Sequence, residues 1–523
     1  MATDNQKPIM FRLAREIPHC RSVWIGVLQG TWKEMGRQYG ERCAKDIARN
    51  FDINWEKLIL KGEKSFWQQN RTEKQRASYG VAYLKRSFKE LSRLCPELIE
   101  MFAGMAEGAA NELDRCIHAG ACAHEEKIAL LNYSSTIHFH PDWDFDNDCP
   151  RRSQGNPAGG GRAALAEDEA DCNGFWVKGA GTRTGQTFAT RTAQSRHIDA
   201  GGSGRERQIS YVAIPKDPSA RVFWGNGRAG NLGGIGGGLM NDSGVCCLTS
   251  GAQYAKDSRP YMDESLAPGI RDFLLASCGV IFSETAREAA EMATIGTQPY
   301  RQLTGRKTVL RARGCNIVFA DEHEAYCVEQ NARYYAIRRP GDLGEKDNNF
   351  LVHANHFKSS NGCFDEDNVF QSDRSMTDFT PEEMDRPSGT YYRFWSGMWM
   401  LRNNYGRIDD QLMREDLVAS HYGYDEKGNR FDPEPETGVP TSGGDFNEAH
   451  ETWHGTFCAH IKPYTAENPK GVGGNVETSV FNLSTRQVWW VPVWPCHYKE
   501  WNLDWHYTDL KPYAEYRKLL WGY

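Results

Sequence analysis

Cys172, one of fifteen cysteines, closes an irregular stretch, PDWDFDNDCPRRSQGNPAGGGRAALAEDEAD at 141–171, and opens the strand-like run CNGFWVKG. A thiol in that place can attack the carbonyl carbon before it, here that of Asp171. Hydrolysis of the resulting thioester cuts the Asp171–Cys172 bond and leaves Cys172 with a free α-amino group. Such an amine has a pKa of about 7.7–8.0, near enough to neutrality to act as base toward its own thiol. One residue then supplies both nucleophile and base. The position by itself carries little weight, because a cysteine that starts a strand is ordinarily a small buried hydrophobe.

Other motifs compete with it. HETWH at 450–454 satisfies the H-E-x-x-H pattern of a zinc protease, with His460 as a third ligand. Its setting disfavours the long helix that this chemistry needs: TSGGD lies upstream, Gly455 follows at once, and Phe457 stands where a metzincin would carry glycine. TFCAHI reads as a strand instead. GNGRAG at 225–230 matches G-x-G-x-x-G, but NLGGIGGG after it is too glycine-rich to open a pyrophosphate-binding helix. The segment reads as a loop where backbone and substrate can approach closely. Cys149, followed by Pro150, has no strand behind it and is the poorer nucleophile. The tryptophans near the end of the chain read as packing, with one or two available to line an apolar acyl pocket.

The elements that must hold Cys172 are legible in outline. From about Gly30 to Asp114 the pattern is helical, and Phe88, Leu91, Cys95, Leu98, Phe102 and Met105 recur at steps of three and four. Pro96 interrupts that stripe, which predicts two helices or one kinked helix. After Cys172 come short strands: FWVKG, QTFATR, QISYVAI, RVFWG, GVCCLTS, NIVFA, AYCVEQ and YYAIRR. Helices are predicted near 269–277, 283–294 and 390–404, then two closing strands, ETSVFNL and RQVWWVP. This order predicts antiparallel sheet covered by helices.

The bulk composition narrows the function classes. With 523 residues the chain can bury a large core, and 62 basic against 69 acidic residues leave a net charge of -7, which argues against nucleic acid as the main partner. The start has no apolar signal core behind basic residues, and no run of about 18 apolar residues occurs. A cytoplasmic protein with mostly reduced thiols is the expectation, with no membrane partner.

CNGFWVKGAGTRTGQTFATRT, with cysteine, strand, glycine turn, strand and then Arg191, resembles the opening of the Ntn hydrolases. More specifically, the chain resembles the penicillin acyltransferase (isopenicillin-N acyltransferase) family of self-cleaving enzymes. GTWKEMGRQYG at 30–40, CPELIEMFAGMAEGAANELD at 95–114 and ALLNYSS at 129–135 are similar to its helical pro-region, while GLMNDSGVCCLTS, LVHANHF and ETSVFNLSTRQVWWV are similar to elements of its catalytic part. The resemblance implies an α+β fold, a four-layer αββα Ntn-hydrolase sandwich with an N-terminal helical pro-region. It also implies a helical region over 1–140, a linker over 141–171 ending at the cut, and a catalytic region over 172–523.

Carried over residue by residue, the resemblance makes Cys172 the nucleophile and sets Arg191 beside it to orient it. Asn355, before His356 and Phe357, becomes the oxyanion donor, with Asn241 of the MND turn as a second candidate, equally readable as ordinary turn chemistry. An asparagine NH2 group can donate to developing negative charge without itself being charged, and losing one such donor costs about 10²–10³ in rate. Two positions depart from the pattern. Gln194 stands where many relatives carry Asp, and Asp171 precedes the cut where Gly is commoner.

The implied activity is hydrolysis of an amide bond in a small N-acyl compound or peptide through an acyl-enzyme, without metal or organic cofactor. Transfer of an acyl group from coenzyme A or an amide to an amine is the alternative. Zinc proteolysis through HETWH and an uncleaved, non-catalytic binding protein also stay open. The two cleavage fragments are expected to remain associated, and a homo-oligomer is compatible with the sequence.

Overall fold

A computed structural model of the chain describes residues 12–13, 23–61, 71–133, 143–144, 149–150, 172–195, 208–232, 238–252, 267–343, 348–374, 376, 389–431, 456–458, 474–492, 495–496 and 504–523. Asp171, the whole of HETWH and His460 lie outside the described residues.

The N-terminal region contains a strand that the sequence reading did not anticipate, β1 (Trp24–Gly30). Helices α1 (Trp32–Asn54), α2 (Glu73–Leu94), α3 (Pro96–Leu113) and α4 (His124–Tyr133) follow. Thr31 and Thr72 cap α1 and α2 in reciprocal boxes with Glu34 and Gln75, each satisfying orphan donors of the first turn. Pro96 takes the first position of α3, where its missing N–H costs nothing, so the apolar stripe belongs to two helices joined at Cys95. α1 and α3 touch backbone to backbone. A Cβ on Gly36 would lie 2.0 Å from the Met101 carbonyl oxygen, and one on Gly104 would lie 2.1 Å from that of Lys33.

The rest of the chain supplies β2 (Cys172–Gly179), β3 (Gly185–Ser195), β4 (Gln208–Pro215), β5 (Phe223–Arg228), β6 (Leu239–Asn241) and β7 (Cys246–Gly251). Helices α5 (Asp272–Phe282) and α6 (Ala286–Thr294) precede β8 (Cys315–Ala320), β9 (Ala325–Gln330), β10 (Tyr335–Arg338) and β11 (Phe350–His353). Helix α7 (Gly389–Asn403), strands β12 (Gly474–Asn482), β13 (Gln487–Val491) and β14 (His506–Asp509), and helix α8 (Lys511–Trp521) follow; β14 and α8 extend beyond the two closing strands expected from sequence.

Two large sheets result. One has eleven strands, in the order Arg12–Leu13, β1, β4, β5, β6, β7, β8, β9, β10, Cys363–Phe364, Phe370–Gln371. The other has six, ordered β11, β2, β3, β12, β13, β14. Every neighbouring pair in these two sheets is antiparallel except β1 and β4, which run parallel from Trp24 opposite Ile209 to Gly30 opposite Pro215. The N-terminal region is therefore not helical throughout: it lends a strand to the sheet built mainly by residues after 172.

Side-chain alternation sorts the core into three parts. Trp176, Ala189, Leu351 and Phe481 of the smaller sheet meet Val212, Trp224, Leu248 and Val318 of the larger one. Beyond the larger sheet, Tyr211, Phe223, Ile317 and Phe319 pack with Tyr39, Leu98, Phe102, Leu275 and Ala289 of the helices. Beyond the smaller sheet, Phe175, Val177, Phe188, Val352 and Val480 pack with Phe394, Met398 and Leu401 of α7. The protein is thus a mixed α+β molecule built on large sheets. Among the described residues, no helix is long and apolar enough to cross a membrane.

Candidate active site

Register brings the reactive side chains together. β2 pairs with β3 so that Cys172 faces Ala193 and Gly174 faces Arg191, while β12 sets Glu477 opposite Ala193 and Ser479 opposite Arg191. β11 places His353 opposite Gly174. Directly paired residues share a face, so Cys172, Arg191, Glu477 and His353 all lie on the side of Trp176 and Ala189, toward the larger sheet. Strand β7 of that sheet approaches the group from across the gap.

Arg191 is the hub. Its Nη2 donates to the Cys172 sulfur at 3.2 Å, its Nε to the Thr249 carbonyl at 2.8 Å, and its Nη1 pairs with Glu477 Oε1 at 2.6 Å. Glu477 Oε2 accepts from Asn226 at 3.1 Å. All three of Cys172, Arg191 and Glu477 are buried, at 2%, 1% and 2% exposure. Burial raises the Glu477 carboxyl above its usual range, and the guanidinium beside it opposes that rise. A fixed fork of donors suits three acceptors in different directions, a task a lysine ammonium performs less well.

Asn355 reaches Cys172 from the segment after β11. Its Oδ1 accepts from the Cys172 backbone nitrogen at 2.7 Å and from Arg393 Nη2 at 2.9 Å, and its Nδ2 donates to the Gly251 carbonyl at 2.8 Å. Arginine can only donate, so the amide orientation is settled by chemistry. The expectation of an NH2 group turned toward the nucleophile needs adjusting: Asn355 presents its oxygen to Cys172 and its nitrogen to Gly251.

His353 completes the cluster. Its Nδ1 lies 2.9 Å from Ser250 Oγ, and its Nε2 has no hydrogen-bond partner among the described residues. Burial, with Arg191 and Arg338 nearby, holds it well below the usual imidazole pKa, so it is neutral at pH 7. Gly174 makes room for it, since a Cβ there would lie 2.3 Å from the Thr190 oxygen and 2.7 Å from His353 Nε2.

Asn241 has a different task from the one the resemblance offered. Its Nδ2 donates to the Val280 and Ser283 carbonyls at 2.6 and 2.8 Å, and its Oδ1 accepts from the Ser243 and Val245 amides, both at 3.0 Å. Both lone pairs and both N–H groups are occupied in tying the β6 turn to the end of α5, which leaves none for an oxyanion. Gln194 points away from Cys172, donating to the Thr456 and Phe457 carbonyls at 3.0 and 3.3 Å. The carboxylate in contact with Arg191 comes instead from Glu477. GNGRAG is strand β5 running into a turn held by the Tyr39 hydroxyl, which donates to the Arg228 carbonyl at 3.1 Å.

Glu477, Thr249, His353 and Arg393 were not singled out from the sequence. For Glu477 a signal existed, since a lone carboxylate in the otherwise uncharged strand GNVETSVFN requires a buried partner. The other three carry no local mark.

No protein-family model matches the sequence, and no curated protein matches it. Solved structures to which the chain is similar include two variants of the conjugated bile acid hydrolase from Clostridium perfringens, each with a TM-score of 0.31 and 12% identity over 65% of this chain and 93% of that one. Penicillin V acylase from Agrobacterium tumefaciens is similar at a TM-score of 0.24 and 11% identity, over 61% of this chain and 83% of that one. Likenesses this slight assign neither a fold family nor an activity. The residues around Cys172 carry the functional reading.

Proposed function

We propose that the chain is a self-processing cysteine amidohydrolase of the Ntn type, cut before Cys172 and acting on an amide bond of a small N-acyl compound or peptide. The observation that carries this reading is the setting of Cys172 at the first residue of β2: a buried thiol 3.2 Å from a buried guanidinium, with its own backbone nitrogen 2.7 Å from the Asn355 oxygen. The resemblance to the isopenicillin-N acyltransferase type supports it. So does the packing of helices beyond both sheets, which suits an αββα sandwich.

In the precursor, the Cys172 sulfur attacks the Asp171 carbonyl carbon, the peptide C–N bond breaks, and the acyl group passes from nitrogen to sulfur. Water then hydrolyses the thioester and frees the α-amine. The Asn355 oxygen accepts a hydrogen bond from that amine and holds it beside the thiol. In turnover the amine takes the thiol proton, the thiolate attacks the substrate carbonyl, and the ammonium returns the proton to the leaving nitrogen. Water resolves the acyl-enzyme. Arg191, a cation against the sulfur, favours the thiolate. Stabilisation of the oxyanion by Asn355 requires the developing charge to approach its NH2 group beside Gly251. The fragments 1–171 and 172–523 stay together through the β1–β4 pairing and the shared helical core.

Denaturing electrophoresis and intact mass of the purified protein should show two fragments meeting at 171/172. Cys172→Ala should leave the precursor whole, and cleavage that persisted in this variant would remove Cys172 from the role. A panel of N-acyl amino acids, aromatic amides, small peptides and acyl-coenzyme A thioesters, tested with and without amine acceptors, separates hydrolysis from transfer.

A further inference from the structure

Apart from the site just described, the described residues bring together one group of three soft metal ligands. His421, Cys458 and Cys496 come from separate parts of the chain, and their ligand atoms lie within 4.8 Å of one another. The two sulfurs are 3.5 Å apart. Cys458 is fully buried and Cys496 is 8% exposed, while His421 lies at the surface. A tetrahedral zinc ion with Zn–S bonds of about 2.3 Å separates two sulfurs by about 3.8 Å and a sulfur from an imidazole nitrogen by roughly 3.6 Å. The observed sulfur–sulfur spacing lies close to that geometry and far from the S–S bond of about 2.05 Å in a disulfide, and the histidine nitrogen lies within 4.8 Å of both sulfurs.

The backbone around the group is already fixed. The Cys458 N–H donates to the Ser420 carbonyl at 3.1 Å, which holds the segment 456–458 against the residue next to His421. Ser420 is anchored in turn by its hydroxyl, which donates to the Leu417 carbonyl at 2.9 Å. The Phe457 carbonyl accepts from Gln194 and from Asn475, at 3.3 and 3.0 Å. Such supports position ligands before an ion binds, and their presence lowers the ordering cost of binding.

We propose that His421, Cys458 and Cys496 bind one zinc ion as a structural staple on the outer side of the smaller sheet, distinct from the H-E-x-x-H motif at 450–454. Two thiolates and an imidazole suit zinc by softness, and three protein ligands leave a fourth position for water. The staple joins three segments remote in sequence. It also pins Phe457, whose ring packs 5.5 Å from that of Phe175 on the nucleophile's strand. Its consequence is for stability rather than for the chemistry at Cys172, and it does not depend on the proposed activity.

The test is metal analysis of the full-length protein purified from zinc-supplemented cultures and dialysed without chelator, with unfolding temperature as a second readout. The expected result is about one zinc per chain, lost in Cys458→Ser and Cys496→Ser, and more weakly held in the surface variant His421→Ala. Wild-type protein reloaded with cobalt should show thiolate-to-cobalt charge transfer in the near ultraviolet, and chelation should lower its unfolding temperature. Absence of bound zinc in the wild type would overturn the proposal, as would cobalt loading without the thiolate band. Zinc that survives the cysteine substitutions but is lost in His450→Ala or His454→Ala would overturn it too, by placing the ion at the other motif. A wild-type mass two hydrogens light, with Cys458 linked to Cys496, would show a disulfide in its place.

Discussion

On the face of β2 and β3 that meets the larger sheet, Cys172, Arg191 and the β12 carboxylate Glu477 are buried with sulfur and charge in contact. One residue along the same strands, on the face toward α7, Phe175, Val177 and Phe188 are buried in an apolar cluster. Degree of burial does not distinguish the two sides. The apolar side gains stability from nearly every atom it hides, at about 25 cal/mol per Å². The ionic side pays heavily for desolvation, and a buried ion pair of this kind often contributes no more than well-packed apolar residues would. What sets the ionic side apart is its contact with the Cys172 sulfur.

Breaking the ionic side should have the largest effect. Arg191→Met strands the Glu477 carboxylate in the core and should cost about 3–5 kcal/mol in denaturant unfolding, with loss of self-cleavage. Adding Glu477→Gln should recover much of the stability without restoring cleavage. If cleavage returned with stability, Arg191 would be structural only. Phe175→Ala should cost about 3–5 kcal/mol through cavity formation on the apolar side, yet leave cleavage at Cys172 intact while the protein stays folded. Loss of cleavage in a folded Phe175→Ala protein would mean that the two faces are coupled.

Gln194→Ala should have a smaller effect, about 1–2 kcal/mol, by removing donors from two carbonyls. Because Gln194 faces away from Cys172, fragment yield should not change. The gentlest test is pH. His353 and His356 are both held well below the usual imidazole pKa, chiefly by burial. Their neutral forms contribute stability that is fully present above an unfolded-state pKa near 6.5 and is lost as pH falls toward the depressed folded values. Each should therefore lower stability by up to about 1.4 kcal/mol per pH unit below that point. His353→Gln should flatten the acid limb of a stability-against-pH curve.

Much of this arrangement was readable in advance, and the failures are instructive. Pro96 predicted a break, and two helices meet there. The alternation within CNGFWVKG puts Cys172 and Trp176 on one side of a strand, and a tight hairpin turn suffices to bring Arg191 back beside them. β1 was missed because WIGVLQG is a short run with little alternation, and its long parallel partner β4 lies far along the chain. Asn241 offered two readings, turn or catalysis, and its local hydrogen bonds satisfy the turn completely. Asn355 was found, but which end of its amide faces Cys172 depends on Arg393, a residue of α7.

The sequence by itself determined that Cys172 stands at the start of a strand and that Arg191 returns beside it across one hairpin, because strand period and turn length are local properties. The tertiary structure alone decided that Glu477, 286 residues beyond Arg191, neutralises it, that Asn355 offers its oxygen to the Cys172 nitrogen, and that His421 meets two cysteines. Those contacts follow from the register of strands far apart in the chain and from the need of every buried charge for a partner, and neither constraint is written in any local stretch of residues.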